Sequence, residues 1–220
     1  MVGYVESLTD PSYCRQLLVL TYPLIGNYGV PSDELDQDAI ERYYESRKIW
    51  VSGLVVSEAC DSASFSHWNA KFDLSSWLRK FGIPGIAGVD TRLLTKRIRE
   101  YGSMEAKLVI NNDDPLSYEF LDINERNLVA EVSRHEVCTI GDASTKPLVL
   151  VVDCGIKNNQ IRCLLHRGAA VKIVPWNYPI AEESKFISMH DIWYDSSEVK
   201  HRTSAYTRLI GYYRCLAKLS

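Results

Sequence analysis

The chain has 220 residues, 46% of them apolar and 24% charged, with a formal net charge of −3. That balance excludes a disordered chain, a collagen-like repeat and a small disulfide scaffold. It also supplies no overall electrostatic pull toward nucleic acid or anionic lipid, so neither is expected as a partner.

The six cysteines are scattered with no C-x-x-C pair, and the five histidines form no H-E-x-x-H motif. Reduced thiols in a cytoplasmic protein are expected, and no metal site. The most apolar stretch, Leu17 to Ile25, is broken by Thr21, Tyr22 and Pro23 and is too short to span a membrane. Met1-Val2-Gly3-Tyr4 lacks the basic and apolar regions of a signal peptide.

In chain order, Gln16 to Leu20 reads as a buried strand stopped by Pro23. Gly26 to Pro31 is dense in turn formers and predicts an irregular loop. Asp33 to Ser46 reads as a short helix, and Lys48 to Ser57, rich in β-branched and aromatic residues, as a strand. Asp73 is placed to cap a helix whose Leu74, Trp77, Leu78 and Phe81 share one face, ended by Gly82. A short strand follows within 83–89. A second helix starts at Asp90-Thr91 and ends at Gly102; Leu94, Ile98 and Tyr101 line one face, and Arg92, Lys96 and Arg99 the other. Lys107 to Ile110 reads as a strand broken by 111–115.

Residues 135–147 lose apolar periodicity and read as a linker. Leu148 to Val152 is then a continuous apolar run, as in a strand covered on both faces. A helix with Ile161, Leu164 and Leu165 on one face follows, and Ala170 to Pro175 is a second strand. This is a βαβ unit, hence the start of a parallel α/β sheet. Two parallel strands cannot close a domain, and residues 181–220 offer no further run of buried-strand character.

Few residues carry chemistry by themselves. Cys154 lacks the flanking glycines of a nucleophile elbow and reads as a small buried residue at a strand end. Cys163 and His166 lie within one helical turn with no third group to orient them. Asp153 follows a strand end and reads as a loop brace or helix cap. No G-x-G-x-x-G and no Walker A run occurs, so no nucleotide cofactor is expected on this chain. Thr9-Asp10-Pro11-Ser12 reads as a turn.

Taken together, several runs resemble one family. Leu8-Thr9-Asp10-Pro11-Ser12-Tyr13, Thr21-Tyr22-Pro23-Leu24-Ile25-Gly26-Asn27-Tyr28-Gly29 and Gly88-Val89-Asp90-Thr91-Arg92-Leu93-Leu94-Thr95 are similar to the small-subunit N-terminal domain of glutamine-dependent carbamoyl-phosphate synthetase. Asp153-Cys154-Gly155-Ile156-Lys157-Asn158-Asn159-Gln160 and Val174-Pro175-Trp176 resemble the opening of its amidotransferase domain. In detail the chain resembles the N-terminal part of the animal multifunctional pyrimidine-synthesis proteins. The resemblance implies an α/β chain. A mixed β/α small-subunit domain over 1–140, its first strands missing, is joined by a linker over 141–147 to the incomplete βαβ start of a class I, flavodoxin-like glutamine amidotransferase domain over 148–180. An unrelated tail covers 181–220.

It further implies that Ser12 contributes to a glutamine site and that the partner is the synthetase large subunit or domain. ATP and Mg belong to that synthetase part, which makes carbamoyl phosphate from glutamine, bicarbonate and ATP at the first step of pyrimidine synthesis. The family's S-N-G-P-G-D-P loop, its G-x-C-x-G nucleophile and its His and Glu are not found in these 220 residues. No glutaminase or synthetase activity is therefore expected of the chain alone, and no catalytic residue is assigned. The alternative is a non-catalytic docking module that binds the synthetase part.

Overall fold

The computed structural model describes residues 3–60, 64–109, 114–180 and the backbone of 188–191. The first part builds a three-stranded parallel sheet in the order β1-β2-β3, from β1 (Leu17–Ile25), β2 (Gly53–Ala59) and β3 (Gly85–Ile86). Helix α1 (Tyr4–Thr9) precedes it, α2 (Leu74–Lys80) joins β2 to β3, and α3 (Thr91–Tyr101) follows β3. Tyr4, Leu8, Ile25, Leu54 and Trp77 are among the buried side chains that make one core here.

Pro23 does not stop β1. The strand runs on to Ile25, and its register with β2 shifts between Leu20 and Leu24. A proline inside a strand is tolerated at a sheet edge, where its missing N–H costs no ladder bond, and β1 is such an edge. The strand expected at 48–57 starts only at Gly53. Upstream of it the Trp50 backbone is already engaged: its N–H donates to Leu8 and its carbonyl accepts from Arg15.

The expected helix over 33–46 does not form. Asp36 Oδ1 instead accepts the N–H groups of Asp38 and Ile40 at 2.9 and 3.0 Å, and Ala39 takes a left-handed φ of 59°. Short acidic side chains that bond nearby amides compete with helix in this way. The result is an irregular strap that delivers Ile40 into the core of the second sheet, beside Val151, Ile161 and Ile173. Residues 107–109 form no strand either; Lys107 Nζ instead donates to the carbonyls of Pro115 and Tyr118. Ile110 lies outside the described residues.

The second sheet has four strands in the order β4-β6-β5-β7. Strands β5 (Leu148–Asp153) and β6 (Ala170–Pro175) are parallel and joined by α5 (Asn158–His166), the βαβ unit read from the sequence. Short helix α4 (Leu128–Val132) leads in. Two strands were not foreseen. β4 (Cys138–Ile140), inside the stretch read as linker, pairs antiparallel with β6, and β7 (Ser188–Asp191) pairs parallel with β5. Both edges of the βαβ pair are thereby covered. Among the described residues no helix is long and apolar enough to cross a membrane.

Candidate functional site

The carboxyl end of β5 is approached by the turn after α1, and parallel sheets bind ligands at such strand ends. Asp153 closes the strand with its side chain almost wholly buried. Its Oδ1 accepts the N–H groups of Gly155 (2.9 Å) and Ile156 (3.0 Å), which folds the chain back toward α5. Its Oδ2 accepts from the backbone N–H and Nε of Arg134, at 3.0 and 3.1 Å. Both oxygens are thus spent on bracing. The loop-brace reading of Asp153 holds, and its partner Arg134 was not visible in the sequence.

Gly155 sits at φ 102°, a conformation that side chains disfavour. A Cβ there would lie 3.1 Å from Pro11 Cβ and 3.1 Å from Val132 Cγ2. Two segments of the first part of the chain therefore approach this loop: the turn after α1 and the end of α4.

The turn is built as its sequence suggests. Asp10 caps a 3₁₀ turn over Pro11–Tyr13, its Oδ1 accepting the Ser12 N–H at 2.9 Å. Asp10 Oδ2 reaches across to Lys157 Nζ at 3.1 Å. Ser12 is half-buried on this turn, and its carbonyl accepts from Gln16 Nε2. The structure thus brings Pro11, the residue before Ser12, against Gly155, 144 positions later in the sequence.

The same corner is tied to α4. Arg15 Nε and Arg126 Nε both bond Glu131, at 3.1 and 2.7 Å. Burial pushes the Glu131 carboxyl up, and the bonds from Arg126 and Arg15 more than offset this, leaving it below its ordinary value. Ser133 Oγ accepts the Trp176 N–H at 3.0 Å, anchoring the end of α4 to the end of β6.

The other sequence candidates lie apart. Cys154 packs, half-buried, against Leu150, Val152 and Val174, as a strand-end filler does. Cys163 and His166 are exposed on α5. Burial, with Glu131 next in effect, raises the Cys14 thiol above its ordinary value, which disfavours a reactive thiolate. Among the described residues there is no group of three or more His, Cys, Asp or Glu able to hold a metal.

Helix α3 presents a second surface. Arg92, Lys96 and Arg99 are exposed, but so is much of the face expected to be covered: Ile98 is 39% exposed and Tyr101 75%.

A family model described as the carbamoyl-phosphate synthase small chain, CPSase domain, matches residues 1–108. The chain is 48% identical over 196 residues to the multifunctional protein pyr1-3 of Dictyostelium discoideum, covering 84% of this chain and 9% of that protein. It is 51% identical over 178 residues to the multifunctional protein CAD of Squalus acanthias, covering 81% and 8%. It is 44% identical over 182 residues to the arginine-specific carbamoyl phosphate synthase small chain of Neurospora crassa, covering 82% and 40%. The chain therefore spans less than half the length of each of these relatives. The matched blocks include those around Ser12 and Asp90 on which the sequence resemblance rested, so residues 1–108 carry the small-chain domain of the carbamoyl-phosphate synthase family.

Proposed function

We propose that this chain forms part of a glutamine-dependent carbamoyl-phosphate synthase of cytoplasmic pyrimidine synthesis, and that Ser12 is its contribution to the glutamine site. The observation that carries this reading is the seat of the Thr9–Ser12 turn on the Gly155 loop. A Cβ at Gly155 would lie only 3.1 Å from Pro11 Cβ, tighter than ordinary van der Waals contact. In this reading the hydroxyl of Ser12, the residue after Pro11, serves the strand end where a parallel sheet binds ligands. A serine hydroxyl both donates and accepts, which suits the amide and α-carboxylate groups of glutamine.

The strand order β6-β5-β7 supports reading the second sheet as the start of a flavodoxin-like amidotransferase domain, since such sheets open with the order 2-1-3. Asp153, Gly155 and Arg134 shape the rim of that edge. The nucleophile of the reaction has no counterpart here, because these 220 residues contain no G-x-C-x-G run. ATP and Mg act on the synthetase part in this reading, and this chain holds neither.

The test is Ser12→Ala in the enzyme with its complete amidotransferase domain. Glutamine-dependent synthesis should show a KM for glutamine raised about tenfold, the effect of one lost hydrogen bond to a charged group, while ammonia-dependent synthesis stays unchanged. An unchanged KM would sink the role given to Ser12. The 220-residue chain itself should release no ammonia from glutamine.

A second reading, docking to the synthetase part, is favoured by α3, which exposes Ile98 and Tyr101 on one face and Arg92 and Lys96 on the other. Large apolar side chains left exposed on a surface helix mark an interface, and the charged face can meet acidic groups of the partner. Co-purification of the chain with a synthetase domain, weakened by Arg92→Glu with Lys96→Glu, is the expected result. Equal recovery of the charge-reversed chain would remove α3 from the interface.

A further inference from the structure

Helix α5 begins on Lys157, whose side chain has only donors and cannot accept a helix N–H. Within the helix, Gln160 Oε1 accepts the Lys157 N–H at 2.9 Å, but the next amides need acceptors from elsewhere. Both come from one residue far back in the chain. The carbonyl of Glu45 accepts the Asn158 N–H at 2.9 Å, and its carboxylate Oε2 accepts the Asn159 N–H at 2.9 Å. Glu45 thus caps α5 from another part of the fold. Its negative charge also faces the positive end of the helix.

Glu45 has a third bond, and it points the other way. Its own N–H donates to Thr9 Oγ1 at 3.0 Å, and the next residue, Ser46, donates its hydroxyl to the Thr9 carbonyl at 2.6 Å. Thr9 is buried and stands three residues before Ser12. One residue of the strap therefore bonds both the base of the Ser12 turn and the start of α5. The strap around it is held firmly: Asn158 Nδ2 donates to Glu41 Oε2 and to the Tyr44 carbonyl, at 2.9 and 3.0 Å.

We propose that Glu45 is a positioning residue that sets the spacing between the Ser12 turn and the β5–α5 loop by capping α5 across the seam. The coupling stands on the hydrogen bonds alone; its importance for glutamine rests on the reading of Ser12 given above. Free movement of α5 would carry the Gly155 loop with it, because only Ile156 and Lys157 separate that glycine from the helix. Glu45 prevents this by fixing the helix start and the turn to the same peptide unit.

The test is amide hydrogen exchange on the 220-residue chain. In Glu45→Ala the Asn159 amide should exchange about five- to tenfold faster, the expected effect of losing a cap. The amides of Ser12 and Gly155, which do not bond the Glu45 side chain, should accelerate by a similar factor, while Val55 and Leu78 in the first core hold their protection. Glu45→Gln keeps an acceptor and should return Ser12 and Gly155 to within about threefold of the parent. Thr9→Val breaks the other arm of the bridge, and coupling is reciprocal, so it should accelerate exchange at Asn158 and Asn159.

Three outcomes would overturn the proposal: acceleration confined to Asn159, equal acceleration throughout both sheets, or a glutamine variant as labile as the alanine variant. None of them depends on what Ser12 binds. A normal glutamine KM in Ser12→Ala would defeat the functional reading and leave the exchange result standing.

Discussion

Helices α2 and α3 start and stop on the same local signals and end in opposite surroundings. Asp73 accepts the Ser76 N–H at 2.9 Å and Asp90 the Leu93 N–H at 2.9 Å. Gly82 and Gly102 follow the two helices at φ 67° and 82°. Yet α2 buries Leu74, Trp77 and Leu78, with Trp77 stacked on Tyr44 at 5.7 Å between ring centroids. On α3 only Thr91 is buried. Caps and spacing decide that a helix forms; whether its apolar face is covered depends on what the rest of the fold brings to it. An amphipathic helix left open marks a surface waiting for another element or another molecule.

Urea denaturation of core variants gives the largest contrast. Leu78→Ala should cost about 3 to 5 kcal/mol through lost burial and a residual cavity, and Ile98→Ala less than about 1 kcal/mol. A cost above about 2 kcal/mol at Ile98 would show that the α3 face is covered in solution. The glycines sharpen the same point. Gly155→Ala combines a left-handed backbone with a close approach to Pro11 and should cost about 2 to 3 kcal/mol. Gly82→Ala has nothing within 4 Å and should cost only the backbone term, about 1 kcal/mol.

Cap removal tests the likeness rather than the difference. Asp73→Ala and Asp90→Ala should each cost about 1 kcal/mol. An effect near zero at Asp90 alone would show that α3 undocks before the chain unfolds.

The smallest effect is in pH. Hydrogen bonds from the Ser76 side chain and backbone hold the Asp73 carboxyl below its ordinary value of 3.8. A lowered folded value stabilises above the unfolded value, and that stabilisation is lost as pH falls through the folded one. An NMR titration should place the Asp73 midpoint below 3.8. A midpoint at or above that value would mean the cap is open in solution.

The sheet's central βαβ unit and both capped helices were legible because they rest on contacts within a few residues. Leu148 to Val152 is apolar throughout, and an Asp followed at helical spacing by apolar residues has few other outcomes. The turn at Ser12 was equally local. What was missed is non-local. The 33–46 strap has the composition of a helix start, but Asp36 closes a turn on itself and Ile40 finds its core beside Val151, Ile161 and Ile173, all more than a hundred positions away. Strands β4 and β7 are short and carry no alternation long enough to see; the exposed edges of β6 and β5 create them by pairing.

The same division runs through the candidate site. Ser12 could be named from its neighbours in the chain, through Thr9-Asp10-Pro11 and the family they resemble. Arg134 and Glu45 could not, because a lone arginine or glutamate carries no signal until a buried carboxylate or an uncapped helix start is set in front of it. The sequence by itself determined the helices, the central strands and the turn that carries the hydroxyl, since these follow from backbone preference and apolar spacing over a few residues. Only the tertiary structure decided that this turn rests on the Gly155 loop. That apposition rests on a close approach of Pro11 to one glycine and on hydrogen bonds that Glu45 makes to Thr9 and to the start of α5, between segments far apart in the chain.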